Sequence, residues 1–346
     1  MEPSRPVDLD AVAQAMARRL DTRVTAEGQI TFPAVPALLE EFTEKCVAVF
    51  AGLGRAFDAP ERDHLQDVLK RQLAEAFSRS PRSTITVVYR SPVASALSYD
   101  VTVGAPSVEE VYQNWVATRT PPLFGVEPDA RVWALAGEVA DPAGSPVLDI
   151  GAGTGRNALA LARRGHPVDV VEMTEIFADI IGEQARQNAL DIRVINRDVF
   201  ATDADLRRDY RIILLSEVVC DFRSPEQLRR LLELADRCLA PGGSLVFNIF
   251  LADAGYAPDE AARQFGQQVH TAFFTRPELE AALGGLALRM VSDDSVYDYE
   301  RANLPDGAWP PTGWYANWVS GHDLFALDRE HCPIDMRWLV FAKAPE

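Results

Sequence analysis

Val147-Leu148-Asp149-Ile150-Gly151-Ala152-Gly153-Thr154-Gly155-Arg156 is the stretch whose reading decides the fold. Four strand-forming positions run into a turn with glycines at 151, 153 and 155, and Asn157–Arg164 continues as a helix. Glycine lets the backbone take φ > 0 and lets a ligand approach the main chain with no Cβ in the way. The helix behind the turn opens with unpaired N–H groups. Such a turn can cradle a dinucleotide pyrophosphate, a nucleoside triphosphate or an adenosyl amino acid. A dinucleotide fingerprint needs glycine at the sixth position, where this chain has Arg156. A phosphate-binding loop of the Gly-Lys-Ser/Thr type needs a lysine that is absent here.

Outward from the turn, short apolar runs alternate with helical periodicity. Val168–Glu172, Arg193–Val199, Arg211–Ser216 and Ser244–Leu251 read as strands, with helices at 175–188, 225–239 and 277–283 between or after them. Two late strands, 286–291 and 336–343, close the series. That alternation predicts an α/β fold whose parallel sheet is covered by helices on both faces. Before Gly144-Ser145-Pro146 the texture differs. Val35, Leu38, Leu39, Phe42, Cys46, Val49 and Leu53 fall on one helical face, and a second such face spans 61–78. Thr84–Arg90 and Ala96–Val103, separated by Ser91-Pro92, predict a hairpin. We divide the chain into a mainly helical cap with a hairpin, 1–105, and a core, 106–346. The core begins with a lid helix at 107–119 and carries an insertion at 253–275.

The chain has 346 residues, 47% of them hydrophobic, enough for one full core and a smaller unit. Its 34 basic and 51 acidic residues leave a net charge of −17, which repels phosphate backbones and anionic membranes, so neither nucleic acid nor membrane is expected as a partner. Cys46, Cys220, Cys238 and Cys332 are scattered, so buried thiols are expected and no metal. No apolar leader is evident near the N-terminus, and the protein is expected to be cytoplasmic.

The Gly-x-Gly-x-Gly turn preceded by Asp149 resembles motif I of the class I S-adenosylmethionine-dependent methyltransferases, which implies a Rossmann-like, doubly wound, seven-stranded sheet. In that family the acid helps to hold the cationic amino-acid end of the cofactor. Glu172 stands 21 residues after Gly151, at the strand end where a carboxylate can accept from both ribose hydroxyls. By the resemblance Met173 adjoins it, Asp198 and Val199 hold the adenine, and Ser216 with Glu217 follow the fourth strand. Ala152 completes the turn, and Tyr112, Trp115 and Arg119 belong to the lid. The family often has Glu followed four residues later by His; here Asp221 stands at the His position. Leu239–Leu245 and Phe274–Leu279 resemble the family's turn before the fifth strand and its later helix entry. Gly155-Arg156-Asn157 and Arg163–His166 are similar to the tellurite-resistance-type branch.

Methyl transfer to a hydroxyl calls for a base, and His270 is the leading candidate, with Asp221 beside it in role and His322–Asp323 as the runner-up. Tyr256, Tyr297, Trp314 and Tyr315 are candidate acceptor contacts. Tyr256 lies in the 253–275 insertion, and the late aromatic stretch that holds Trp314 and Tyr315 can equally dock the C-terminus against the cap. The expected acceptor is a small organic molecule or short peptide, methylated at O or N. An NAD(P)-dependent oxidoreductase and a non-catalytic protein that keeps the cofactor fold are the rival readings.

Overall fold

Val147–Ile150 (β4) is buried at all four positions, as a strand covered on both faces must be. In the computed structural model, which describes residues 8–21, 25–92 and 96–345, it lies at the centre of a sheet. The chain separates into two units, Met1–Ser107 and Val108–Glu346.

The first unit contains a three-stranded antiparallel sheet in the order β1 (Ala26–Pro33), β2 (Thr84–Ser91), β3 (Ser98–Gly104). Its core joins Phe32, Ile85 and Val87 to Phe42, Cys46 and Phe50 of one helix and Leu65, Leu69 and Leu73 of another. The second helix, Ala59–Arg79, opens with a capping box between Asp58 and Glu61. The expected hairpin is present as β2–β3, its connection lying partly outside the described residues. β1 is an addition to the expectation. Its only strongly apolar side chains are Ile30 and Phe32, too short an alternation to stand out in sequence.

The second unit is α/β and doubly wound. Its sheet runs β10 (Leu288–Ser295), β11 (Ile334–Lys343), β8 (Leu239–Ala252), β7 (Tyr210–Leu215), β4, β5 (Val168–Val171), β6 (Ile192–Ile195). The five strands β4 to β8 are parallel, and β11 is antiparallel to both of its neighbours. A two-residue strand, β9 (Phe273–Phe274), pairs with β8 beside this path, making eight strands where seven were expected. Alternate side chains of β4, β7 and β8 feed two cores, one on each face of the sheet. From β4 the chain first winds outward through β5 and β6, then crosses back to β7. The order therefore reverses between β4 and β7, and the crevice outside their C-terminal ends is where such sheets bind ligands.

Two boundaries differ from expectation in ways that matter for the site. The third core strand stops at Ile195, and Asp198 instead caps a short 3₁₀ turn, Val199–Ala201, through the Phe200 N–H. The aromatic stretch after β10 is helical in part, at Val296–Asn303, Tyr315–Val319 and His322–Phe325. Among the described residues no helix is long and apolar enough to cross a membrane.

Candidate active site

The turn after β4 takes the conformation its glycines were expected to permit. Gly151, Gly153 and Gly155 have φ of +69°, +54° and +85°. A Cβ on Gly151 would lie 2.5 Å from Val218 Cγ2, so the bend is side-chain-poor for steric as well as conformational reasons. Glu172, at the end of β5, accepts from the Gly153 N–H at 2.9 Å and from the Thr174 N–H at 2.8 Å. The carboxylate thus ties the turn to the neighbouring strand, with lone pairs remaining for a ligand.

Asp149 is 2% exposed, and its Oδ2 has no hydrogen-bond partner. Burial, then the nearby Asp129 and Glu172 carboxylates, push its carboxyl up to about 8, although the Ala158 N–H and Arg156 oppose the shift. Asp129, Glu217 and Glu300 extend this acidic cluster. Arg156 lies among them, 2.9 Å from Asp129 and 3.0 Å from Glu217. Burial works against its charge, but those two carboxylates hold the proton more firmly than usual. Asn157 clamps Asp129 reciprocally, donating to Oδ2 at 2.7 Å and accepting from the Asp129 N–H at 2.9 Å. Glu300 accepts from the Ala130 N–H and from the Trp338 indole, each at 2.8 Å. Burial drives Glu217 and Glu300 up to about 7 each. Carboxyl groups outnumber Arg156 in this cluster, and a cationic ligand beside them would favour their ionised form, as a diphosphate would not. The arrangement therefore weighs against the oxidoreductase reading.

The raised carboxyls have a consequence for stability. A carboxyl whose folded pKa lies above its unfolded value adds stability that is complete below the unfolded pKa and is lost as pH rises through the folded one. For Asp149 that window runs from the ordinary carboxylate range to about 8. We predict that the melting temperature of the ligand-free protein falls across this window and that Asp149→Asn flattens the fall. Calorimetric scans of both proteins over the same pH range would show it; identical slopes would contradict it.

Beside the cluster is a cavity of about 590 Å³, in the size range of small-molecule sites. Tyr112, Trp115 and Arg119 line it from the helix Val108–Thr118 and its end, Glu217 and Asp221 from the segment after β7, and Trp314 from the connection between β10 and β11. Phe124 stands against Gly153, 3.3 Å from where a Cβ would be. The Arg119 guanidinium lies over the Trp115 ring, 3.6 Å from its centroid. His270 also lines the cavity, its Nδ1 3.0 Å from Asp221 Oδ1. Two residues 49 positions apart in sequence thus form one dyad. With the Nδ1 proton directed at the carboxylate, Nε2 is the basic nitrogen, a tautomer assigned from this geometry.

The remaining expected residues scatter. Ala152 and Met173 flank the turn and the β5 end, Met173 being half exposed. Ser216 Oγ is buried without a hydrogen-bond partner. The Glu217 backbone is left-handed, with φ of +61°, held by a 2.7 Å bond from its N–H to Asn248. Val199 is in the core. Asp198 is exposed, and its bond to Phe200 is that of a cap. Of the four aromatic acceptor candidates, Trp314 lines the cavity. Tyr315 is fully buried, Tyr297 packs on Trp309, and Tyr256 packs on Phe273 and Phe325. His322 turns back to the Leu327 carbonyl, while Asp323 reaches the cavity. Sequence reasoning gave no site role to Asp129, Asn157, Asn248, Glu300 or Trp318. Their partners lie far off in the chain, and no spacing announces them.

The chain is similar to a ubiquinone biosynthesis O-methyltransferase of Coxiella burnetii, 31% identical over 105 residues, which is 30% of this chain. That match spans 43% of the relative's length. A geranyl diphosphate methyltransferase solved with SAM superposes with a TM-score of 0.49 and 14% identity, over 62% of this chain and 85% of that one. A geranyl diphosphate C-methyltransferase from Streptomyces coelicolor A3(2), solved with Mg2+, geranyl diphosphate and S-adenosyl-L-homocysteine, gives 0.47 and 15%, over 62% and 78%. Residues 128–292, the span from the buried Asp129 through β4 to most of β10, match a family described as methyltransferase domain.

Proposed function

We propose that this chain transfers a methyl group from S-adenosylmethionine to a hydroxyl oxygen of a small organic acceptor. The observation that carries the reading is the buried Asp149 carboxylate with an unpartnered oxygen, set in an acid-rich cluster behind a turn of three left-handed glycines. Such a group calls for a cation, and the amino-acid end of this cofactor supplies an ammonium. Asp149 would hold that ammonium, Glu172 the ribose, and the turn from Gly151 to Gly155 the close approach. Asp198 remains our candidate for the adenine end, and Met173 stays a cofactor candidate beside Glu172. When bound, the cofactor supplies a methyl carbon on a good leaving group. The protein then has to orient the acceptor, exclude water and take a proton.

Proton removal falls to His270 Nε2, with Asp221 orienting the ring and stabilising the imidazolium. A base supports oxygen as the methylated atom, because an amine arriving unprotonated needs none. The aromatic walls of Tyr112, Trp115 and Trp314 suit a flat, largely apolar acceptor. We place the chain near the tellurite-resistance-type branch on Arg156-Asn157, without carrying over a substrate. The four cysteines are buried thiols, in keeping with work in the cytoplasm.

Calorimetry with S-adenosylmethionine and S-adenosylhomocysteine tests the reading. We expect dissociation constants on the order of micromolar, about −8 kcal/mol. Asp149→Ala should weaken binding by about 10- to 100-fold, the worth of a charged hydrogen bond. Because the Asp149 carboxyl is pushed up to about 8, binding should tighten as pH rises towards that value and level off above it. No heat with either compound would end the proposal.

A further inference from the structure

We propose that Trp318 is a positioning residue for His270, so that the insertion between β10 and β11 is part of the catalytic apparatus. The inference rests on the reading of His270 as the base.

Antiparallel neighbouring strands are usually joined by a few residues, and longer connections tend to be functional. Here residues 296–333 join β10 to β11. Trp318, in the short helix Tyr315–Val319 of that connection, sends its indole N–H to the His270 carbonyl at 3.1 Å and to Thr271 Oγ1 at 3.1 Å. Its ring is buried and held edge-on by Phe250 at 5.5 Å and Trp314 at 5.4 Å.

What the indole grips is an unusual piece of backbone. His270 has φ of +57°, a left-handed conformation that costs a side-chain-bearing residue free energy and persists only where its surroundings impose it. The surroundings are on both sides. The Thr271 N–H donates to the Gly266 carbonyl at 2.8 Å, closing the helix Glu260–Gln268. The Ala272 N–H donates to the Cys220 carbonyl at 2.9 Å, beside Asp221. Those two bonds bring the segment to the residue that orients the imidazole. Trp318, which also lines the cavity, holds the carbonyl of His270 itself. Without the indole donor, the left-handed peptide is free to relax and the ring to leave Asp221. Since Trp314 packs on Trp318 and lines the same cavity, an acceptor against Trp314 presses on the element that holds the base.

The test reads the imidazole directly and needs no acceptor. Protein labelled with 15N at histidine is recorded by NMR at about pH 9, where a free imidazole is neutral. His270 is assigned by loss of its signals in His270→Gln. In the wild type we expect one dominant tautomer, with the proton on Nδ1. Asp221→Ala should abolish that preference. Trp318→Phe, which keeps a ring and removes the N–H, should move His270 towards the mixture of a free imidazole. S-adenosylhomocysteine binding should remain as in the wild type, because the bonds and ring contacts of Trp318 run to His270, Thr271, Phe250, Trp314 and Tyr315 and not to Asp149, Glu172 or the glycine turn. Trp314→Leu, which removes a ring that holds the Trp318 indole edge-on and leaves its N–H, should produce the same shift to a smaller degree. It decides the matter if Trp318→Phe fails to fold. A wild-type tautomer pattern in the folded variant or variants would overturn the proposal. Absence of cofactor heat in the wild type would instead defeat the methyltransferase reading and leave the tautomer result standing.

Discussion

Replacing His270 by alanine is expected to lower kcat by about 10²- to 10⁴-fold, the usual worth of a positioned base, while S-adenosylhomocysteine affinity stays unchanged. The split follows from where the side chain lies. His270 lines the cavity and bonds Asp221, whereas the acids we assign to the cofactor are Asp149 and Glu172, around the glycine turn. A hydroxyl is a poor nucleophile until its proton leaves, so loss of the imidazole is felt in the chemical step. Asp221→Ala should act in the same direction and less strongly, because it frees the ring without removing it. Steady-state kinetics on the acceptor that turns over would show both. An unaltered kcat in His270→Ala would remove the residue from the chemistry and point to an acceptor that arrives unprotonated.

Gly151→Val should destabilise the core unit by about 3 kcal/mol and abolish cofactor binding. Two costs add at this position. A φ of +69° is unfavourable for any L side chain by ~1–2 kcal/mol, and β-branching makes it worse. The added Cβ also lies 2.5 Å from Val218 Cγ2, and forcing atoms into packed space costs ~1–3 kcal/mol. Thermal unfolding should register a fall of roughly 6–12 °C. The control is Gly182→Ala, in the helix Glu175–Gln187, where a Cβ meets nothing within 4 Å. That change should stabilise by up to ~1 kcal/mol, since alanine restricts the unfolded chain and favours the helix. A Gly151→Val protein that melts with the wild type would show that the turn relaxes freely, and the steric account of the bend would fall.

The parts of the site legible in sequence share one property, that their partners are close along the chain or fixed by strand periodicity. The run Val147–Ile150, the glycines after it and Glu172 at the end of the next strand belong to a single strand–helix–strand unit. In a parallel pair the register of β4 against β5 sets Ile150 beside Val171 and leaves Glu172 at the turn. Asp198 shows how narrow that legibility is. Reading the strand as far as Val199 made it a strand-end acid, but the ladder ends at Ile195 and the side chain caps the next turn. The aromatic stretch shows the same limit. Its composition was plain, yet it is packing that sends Trp314 to the cavity and Tyr315 into the core.

The alternation of strands and helices, the left-handed turn and the acids beside it were determined by local chemistry, because backbone sterics and side-chain period act over a few residues. Tertiary structure alone decided which distant groups meet: Asp221 with His270, Asp129 with Arg156, Ala130 with Glu300, Trp318 with the backbone of the base. Those meetings depend on the crossover from β6 to β7 and on how far the insertion reaches back over the sheet edge, and neither distance is encoded in any short run of residues.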